Sequence, residues 1–310
     1  MDKLIENLAL PKKESRALNL TRYKAMTAPG GYFDTLKNRE LIMLAELRKE
    51  FPDKYRFYTE VAKRFANSYG PLMLQKYGEY ISDEKKEYLR DLGKCVRIFK
   101  PGDAVELGLI EKFPDGRPKG DGGAFAKSEL GLICFTPEEE QTQAWMQGLS
   151  EEQLTIYNAL IMKGNMIHET FHLLINLKDE DEYFNYQTPS GVESYHGSAG
   201  VLLNEGVVEK MATSFAQENG LLHHPALSYL HYVDLANRIE QRVGNPGTFY
   251  RTIFNRNYNE LLAISMNDQE ILKYHYNERL QFLEKRYGTV FNQGINVLIN
   301  SSKIEPSFKQ

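Results

Sequence analysis

The segment at 150–176 constrains the fold more than any other part of the chain. Ser150 and Gln153 stand three apart at its start, the spacing at which each side chain bonds the other's backbone N–H and opens a helix. Glu151 and Glu152 add negative charge at the positive end of the helix dipole. Leu154, Ile156, Leu160, Ile161, Met166, Ile167, Phe171 and Leu174 then recur at spacings that build an apolar face. The pattern predicts a helix over about 151–176, with Gly164 the place at which it would break. A helix of that length runs about 39 Å, so the rest of the fold has to be arranged around it.

Within this helix lies His168-Glu169-Thr170-Phe171-His172. Two histidines four apart differ by about 40° in azimuth and about 6 Å along the axis. Both imidazoles can reach one ion from one face, and neutral imidazole suits Zn²⁺. Glu169 follows the first histidine, so its carboxylate would lie beside the ion, where it can take a proton from water held there. The plainer alternative is two histidines satisfied within a helix packing face.

Catalytic zinc takes a third protein ligand and leaves one position open. A third histidine close behind is excluded, because Leu173, Leu174, Ile175, Asn176 and Leu177 follow His172. Glu205 and Glu209 stand 33 and 37 residues after His172, in Asn204-Glu205-Gly206-Val207-Val208-Glu209. They are i and i+4 on a predicted helix over about 199–218 and share a face. One can ligate zinc while the other bonds the free ring nitrogen of a ligand histidine. Glutamate pairs on helices are commonly solvated, but this one sits among Val207, Val208, Met211 and Ala212.

His168-Glu169-x-x-His172 followed by Asn204-Glu205-x-x-x-Glu209 resembles the gluzincin class of zinc metallopeptidases, which includes the thermolysin-like enzymes. The stretch from Val201 to Met211 also resembles the ligand helix of the aminopeptidase-like peptidase MA group. The resemblance covers about 125–290 and implies a helix-rich, zincin-like α+β fold. It implies one Zn²⁺ on His168, His172 and Glu205, with Glu169 as general base in the hydrolysis of a peptide or protein substrate. Asn204 and Glu209 would support the ligands without touching the metal. The resembling families commonly carry Asp where this chain has Glu209, one methylene longer. Gly122-Gly123-Ala124-Phe125-Ala126 and Leu130 to Phe135 resemble the edge strand on which gluzincins pair the substrate main chain; the other reading is a plain core strand. A tyrosine is expected to support the developing oxyanion. Tyr274 is favoured, about 70 residues past Glu205, because 281–288 looks like the helix that follows this donor in the peptidase MA group. Tyr276 comes next, then Tyr195, which is placed as in toxin-type gluzincins. Packing is the alternative for any one of 19 tyrosines. Two other functions stay open: a signalling protease or toxin-like effector with one target, and a non-enzymatic zinc-binding module on a zincin scaffold.

Other histidines carry less. His223-His224 before Pro225 reads as surface loop, His196 as solvated and His231 as packing. Residues 1–90 form a helical N-terminal region that matches no nameable family, with Leu41, Leu44, Leu47, Phe57, Val61 and Phe65 in helical register and breaks at Gly30-Gly31 and Ser68-Tyr69-Gly70-Pro71. The catalytic domain is set at 91–300 and a tail at 301–310. Between 94 and 136, Cys95 to Phe99 and Leu130 to Phe135 predict a small sheet, antiparallel because turn signals separate the runs. Segment 178–198 is polar and turn-rich, Asn219-Gly220 ends a helix, and Asn245-Pro246-Gly247 breaks the helical remainder.

The 310 residues carry 38 Lys+Arg and 42 Asp+Glu, a net charge of −4, which gives no electrostatic reason to hold nucleic acid or anionic membrane. Two cysteines, Cys95 and Cys134, cannot make a disulfide framework and are expected as buried thiols. No apolar run reaches the roughly 18 residues of a membrane span. The N-terminus lacks signal-peptide features, so a cytoplasmic location is the default expectation, with secretion by a signal-independent route left open.

Overall fold

The computed structural model describes residues 32–100, 102–109, 123–137, 149–176, 198–223 and 230–255. Its elements are α1 (Tyr32–Glu50), α2 (Lys54–Tyr77), α3 (Asp83–Arg90), α4 (Leu92–Cys95), β1 (Val96–Ile98), α5 (Asp103–Glu106), β2 (Ala124–Lys127), β3 (Leu132–Phe135), α6 (Glu151–Asn176), α7 (Ser198–Asn219), α8 (Leu230–Val243) and α9 (Pro246–Phe254). The class is α+β, rich in helix, with one three-stranded sheet. Among the described residues no helix is long and apolar enough to cross a membrane.

The helix α6 occupies the centre and packs against α1, α2, α7, β2 and β3. It opens with the expected capping box: the Gln153 N–H donates to Ser150 Oγ at 3.2 Å and the Ser150 N–H to Gln153 Oε1 at 2.9 Å. It runs through Gly164 without a break. Met166, Ile167, Phe171, Leu173, Leu174 and Ile175 are all buried. Each such side chain contributes about 1.5–3 kcal/mol, which outweighs the ~1 kcal/mol cost of a helical glycine.

The break expected at Ser68-Tyr69-Gly70-Pro71 is absent, and α2 continues across it to Tyr77. Tyr69, Gly70, Met73 and Tyr77 are buried on one side of this helix, and their packing overrides the missing N–H of Pro71. Gly70 serves close approach rather than a turn: a Cβ there would stand 2.6 Å from the Leu89 carbonyl oxygen. The core is continuous from Leu36 on α1 to Phe254 on α9, so the first helices and α6–α9 share one hydrophobic interior.

The sheet order is β1-β3-β2. β2 and β3 pair antiparallel, with Ala124 opposite Phe135 and Lys127 opposite Leu132. β1 and β3 pair parallel, with Val96 opposite Ile133. The expectation of a wholly antiparallel sheet is therefore corrected. The turn signals at 114–116 and 121–123 separate β1 from β2, which are not neighbours. The stretch from β1 to β3 is long enough for the crossover that a parallel pair needs. The tight link is Ser128–Leu130 with Gly131 at φ 62, where a side chain would also collide with the Tyr88 ring.

Cys95 and Cys134 are both buried and form no disulfide, as expected.

Candidate metal centre

Two helices bring the candidate ligands together. His168 and His172 project from α6, and Glu205 projects from α7. The His168 and His172 Nε2 atoms are 3.0 Å apart. Glu205 Oε2 lies 3.2 Å from His168 Nε2 and 3.3 Å from His172 Nε2. Among the described residues this is the group of His, Cys, Asp and Glu able to hold a metal ion.

The donor set fits an ion on two grounds. A four-coordinate ion with bonds of about 2.0–2.1 Å spaces its donors about 3.3–3.4 Å apart, close to the observed triangle. The protons also point that way. His168 Nδ1 stands 2.9 Å from Glu209 Oε2 and donates to it. Neutral His168 then carries a lone pair on Nε2, facing a second imidazole nitrogen and a carboxylate oxygen. Three ligand atoms aimed at one point are suited to share a positive charge between them.

In the ion-free cluster a proton on His168 supplies that charge. Burial disfavours a charged His168, but hydrogen bonds to Glu205 and Glu209 overcome it and raise its pKa to about 10. Burial likewise opposes ionised Glu205, yet His172 and His168 hold its carboxyl far below the ordinary range. Glu209 falls to about 2, because His223 and His168 outweigh its burial. Glu169 moves the other way: burial raises its pKa, against the pull of His172 and His168 and a hydrogen bond from the Ala126 N–H. One carboxylate at the site is thus kept basic while its neighbours are kept ionised.

The bond to Glu169 follows from the sheet. The Thr136 N–H donates to the Gly123 carbonyl at 2.9 Å, which by antiparallel alternation turns the polar groups of Phe125 and Lys127 toward β3. Those of Ala124 and Ala126 face away from β3, at the edge of the sheet among the described residues, and the Ala126 N–H meets Glu169 there. A buried Thr170 anchors the same turn of α6, donating to the Met166 carbonyl at 2.8 Å and lying 2.7 Å from the Tyr69 hydroxyl of α2.

The reading of His223 as surface loop is corrected. The residue is 1% exposed. Its Nδ1 stands 2.9 Å from the Gly164 carbonyl and its Nε2 3.0 Å from Glu209 Oε1. A Schellman turn ends α7: the Gly220 N–H bonds the Gln217 carbonyl, the Leu221 N–H bonds the Ala216 carbonyl, and Gly220 takes φ 61. The turn sends Leu222 and His223 inward against α6. The signal was present in Asn219-Gly220 followed by two leucines, since an apolar pair just after a helix end turns back to the core.

Asn204 lies on α7 beside Glu205, and His231 falls in α8. Tyr195, Tyr274, Tyr276, His196, His224 and the tail lie outside the described residues. Comparison with protein-family models, with curated proteins and with solved structures finds no match.

Proposed function

We propose that the chain is a zinc-dependent peptidase with a zincin-like catalytic fold. The observation that carries this reading is a three-donor cluster with a separate buried carboxylate beside it: His168, His172 and Glu205 converge, and Glu169 sits next to them, bonded to the Ala126 N–H of β2. A structural zinc site closes all four positions with protein ligands, whereas a catalytic one leaves a position open. Bound zinc supplies Lewis acidity toward a carbonyl oxygen and brings the pKa of water to about 7.

The chain's own groups account for the rest. Glu169, with its pKa raised by burial, takes the proton of the attacking water and passes it to the leaving amine nitrogen. Its Ala126 partner fixes the carboxylate toward the reacting centre. The Ala124 main-chain groups and the Ala126 carbonyl are left to give an extended substrate hydrogen bonds of the kind a further strand makes. His168 keeps its Nε2 lone pair for the ion because its Nδ1–H is held in a hydrogen bond to Glu209.

The test is the zinc content of purified wild-type protein and the His172→Ala variant, together with digestion of casein and a peptide library. One zinc per chain, lost in the variant, with zinc-dependent cleavage is the expected result. Equal metal in both proteins sinks the ligand assignment. Zinc binding without any cleavage supports a binding module instead, and cleavage confined to one protein target supports the dedicated protease.

A further inference from the structure

We propose that His223 is a positioning residue of this metal site, fixing the Glu209 carboxylate in the orientation that holds His168 ready for the ion. The inference rests on the metal-site reading above and assigns a role to a residue outside the ligand set.

His223 lies past the end of α7, on no helix face, yet it is among the most buried polar side chains in the protein. Two polar partners satisfy it there. Nδ1 faces the Gly164 carbonyl, which can only accept, so Nδ1–H is spent there. Nε2 faces a second acceptor, Glu209 Oε1, at 3.0 Å, so the ring serves both partners as an imidazolium with a proton on each nitrogen. Thr213, one turn along α7, donates to the same oxygen at 3.2 Å. With Oε1 taken by these two donors, Oε2 is left for His168 Nδ1 at 2.9 Å.

The bonds close a ring. Gly164 is four residues before His168, and its carbonyl stands at the place in α6 where the His168 backbone N–H bonds. The path from that carbonyl through His223 and Glu209 returns to the His168 imidazole one turn on. The imidazole is therefore tied to its own helix through a residue contributed from beyond α7. A carboxylate free to rotate would trade Oε1 for Oε2 and let the His168 ring tilt; the ring of bonds prevents this. The His168 and His223 rings lie nearly parallel, 14° apart with centroids at 6.4 Å, which fits two imidazoles gripping one carboxylate.

Two substitutions separate this role from space filling. The amide nitrogen of Gln can stand near His Nε2 and donate to Glu209, whereas that of Asn stands near His Nδ1 and reaches only Gly164. Zinc affinity is measured by competition with a chromophoric chelator, and the Co²⁺ form by its visible absorption band. Unfolding in chelator controls for fold. His223→Gln should bind zinc within about threefold of wild type with an unchanged Co²⁺ band. His223→Asn should bind about tenfold more weakly or worse, with the band shifted. Equal affinity and identical bands in the two variants overturn the proposal, as does a weakening that merely follows lost ion-free stability. If the Asn variant does not fold in chelator, more than a tenfold loss in the Gln variant overturns it. A wild-type chain that takes up no metal overturns the site reading as well; wild-type uptake with indistinguishable variants overturns only the role of His223.

Discussion

Replacing Glu40 by Gln should destabilise the protein by about 3 kcal/mol. Glu40 on α1 pairs with Lys163 on α6, and both side chains are under a tenth exposed. Removing one partner from a buried pair strands the other charge, typically at about 3–5 kcal/mol. The low end applies because the Lys163 ammonium also sits 4.5 Å from the centroid of the Phe65 ring, a contact that Gln leaves intact. The assay is urea unfolding in chelator, where a midpoint shift of about 1 M at unchanged slope is expected. The pH dependence gives an independent check. Burial lowers the Lys163 pKa, against the pull of Glu40. The unfolded state therefore binds this proton more tightly, and stability from the site rises with pH until the ordinary lysine value of about 10.4 is passed. Without Glu40 the depression deepens, so on raising the pH the variant should begin to gain stability earlier than wild type, below the ordinary lysine value. Glu40→Leu with Lys163→Met should recover most of the loss, since a matched apolar pair is often neutral or better. A loss under about 1 kcal/mol in Glu40→Gln, or a pH profile parallel to wild type, refutes the reasoning.

Three further outcomes are expected. Glu169→Gln should keep zinc and lower kcat by about 10²–10⁴-fold, because an amide cannot accept the proton of water; activity within a few-fold of wild type removes Glu169 as base. Zinc at about 100 times its Kd should stabilise the chain by about 2.7 kcal/mol over the chelated form, read as a rise in Tm that His172→Ala abolishes. Tyr274→Phe should lower kcat with little change in KM or zinc content, as for a bond made only in the transition state. A silent Tyr274→Phe beside a crippled Tyr195→Phe would place the oxyanion donor before the third ligand instead.

The parts of the site that local sequence spacing controls were legible in advance. The α6 boundaries followed from Ser150, Gln153 and the apolar period, and the convergence of His168 and His172 followed from helix geometry alone. Glu205 and Glu209 were legible because i and i+4 on α7 are also local. The partners of these residues were not. His223 meets Gly164 across 59 residues, and no spacing rule links a residue beyond one helix to a carbonyl inside another. The same holds for Lys163 and Glu40, 123 residues apart. In the sheet, strand positions were readable from β-prone runs, but the parallel pairing of β1 with β3 depended on which strand lies beside which. At Gly70-Pro71 a local rule gave the wrong answer, because the burial of Tyr69, Met73 and Tyr77 outweighs the missing N–H of Pro71.

Glu209 shows how a departure from a resembled pattern and an unforeseen contact explain each other. An aspartate there would suffice to meet one imidazole. The carboxylate of Glu209 meets two, accepting from His168 Nδ1 at 2.9 Å through one oxygen and from His223 Nε2 at 3.0 Å through the other. These histidines belong to different segments, and the carboxylate has to stand between them. Shortening the side chain by one methylene draws it back toward α7 by about 1.5 Å, which lengthens both bonds beyond hydrogen-bonding range unless the helix moves. Helix α7 has little room to move, since Val207, Val208, Met211 and Ala212 are buried around Glu209. The length of Glu209 and the buried His223 therefore work together: the acid reaches a second imidazole, and that imidazole, anchored on Gly164, removes rotational freedom the acid would otherwise bring to His168.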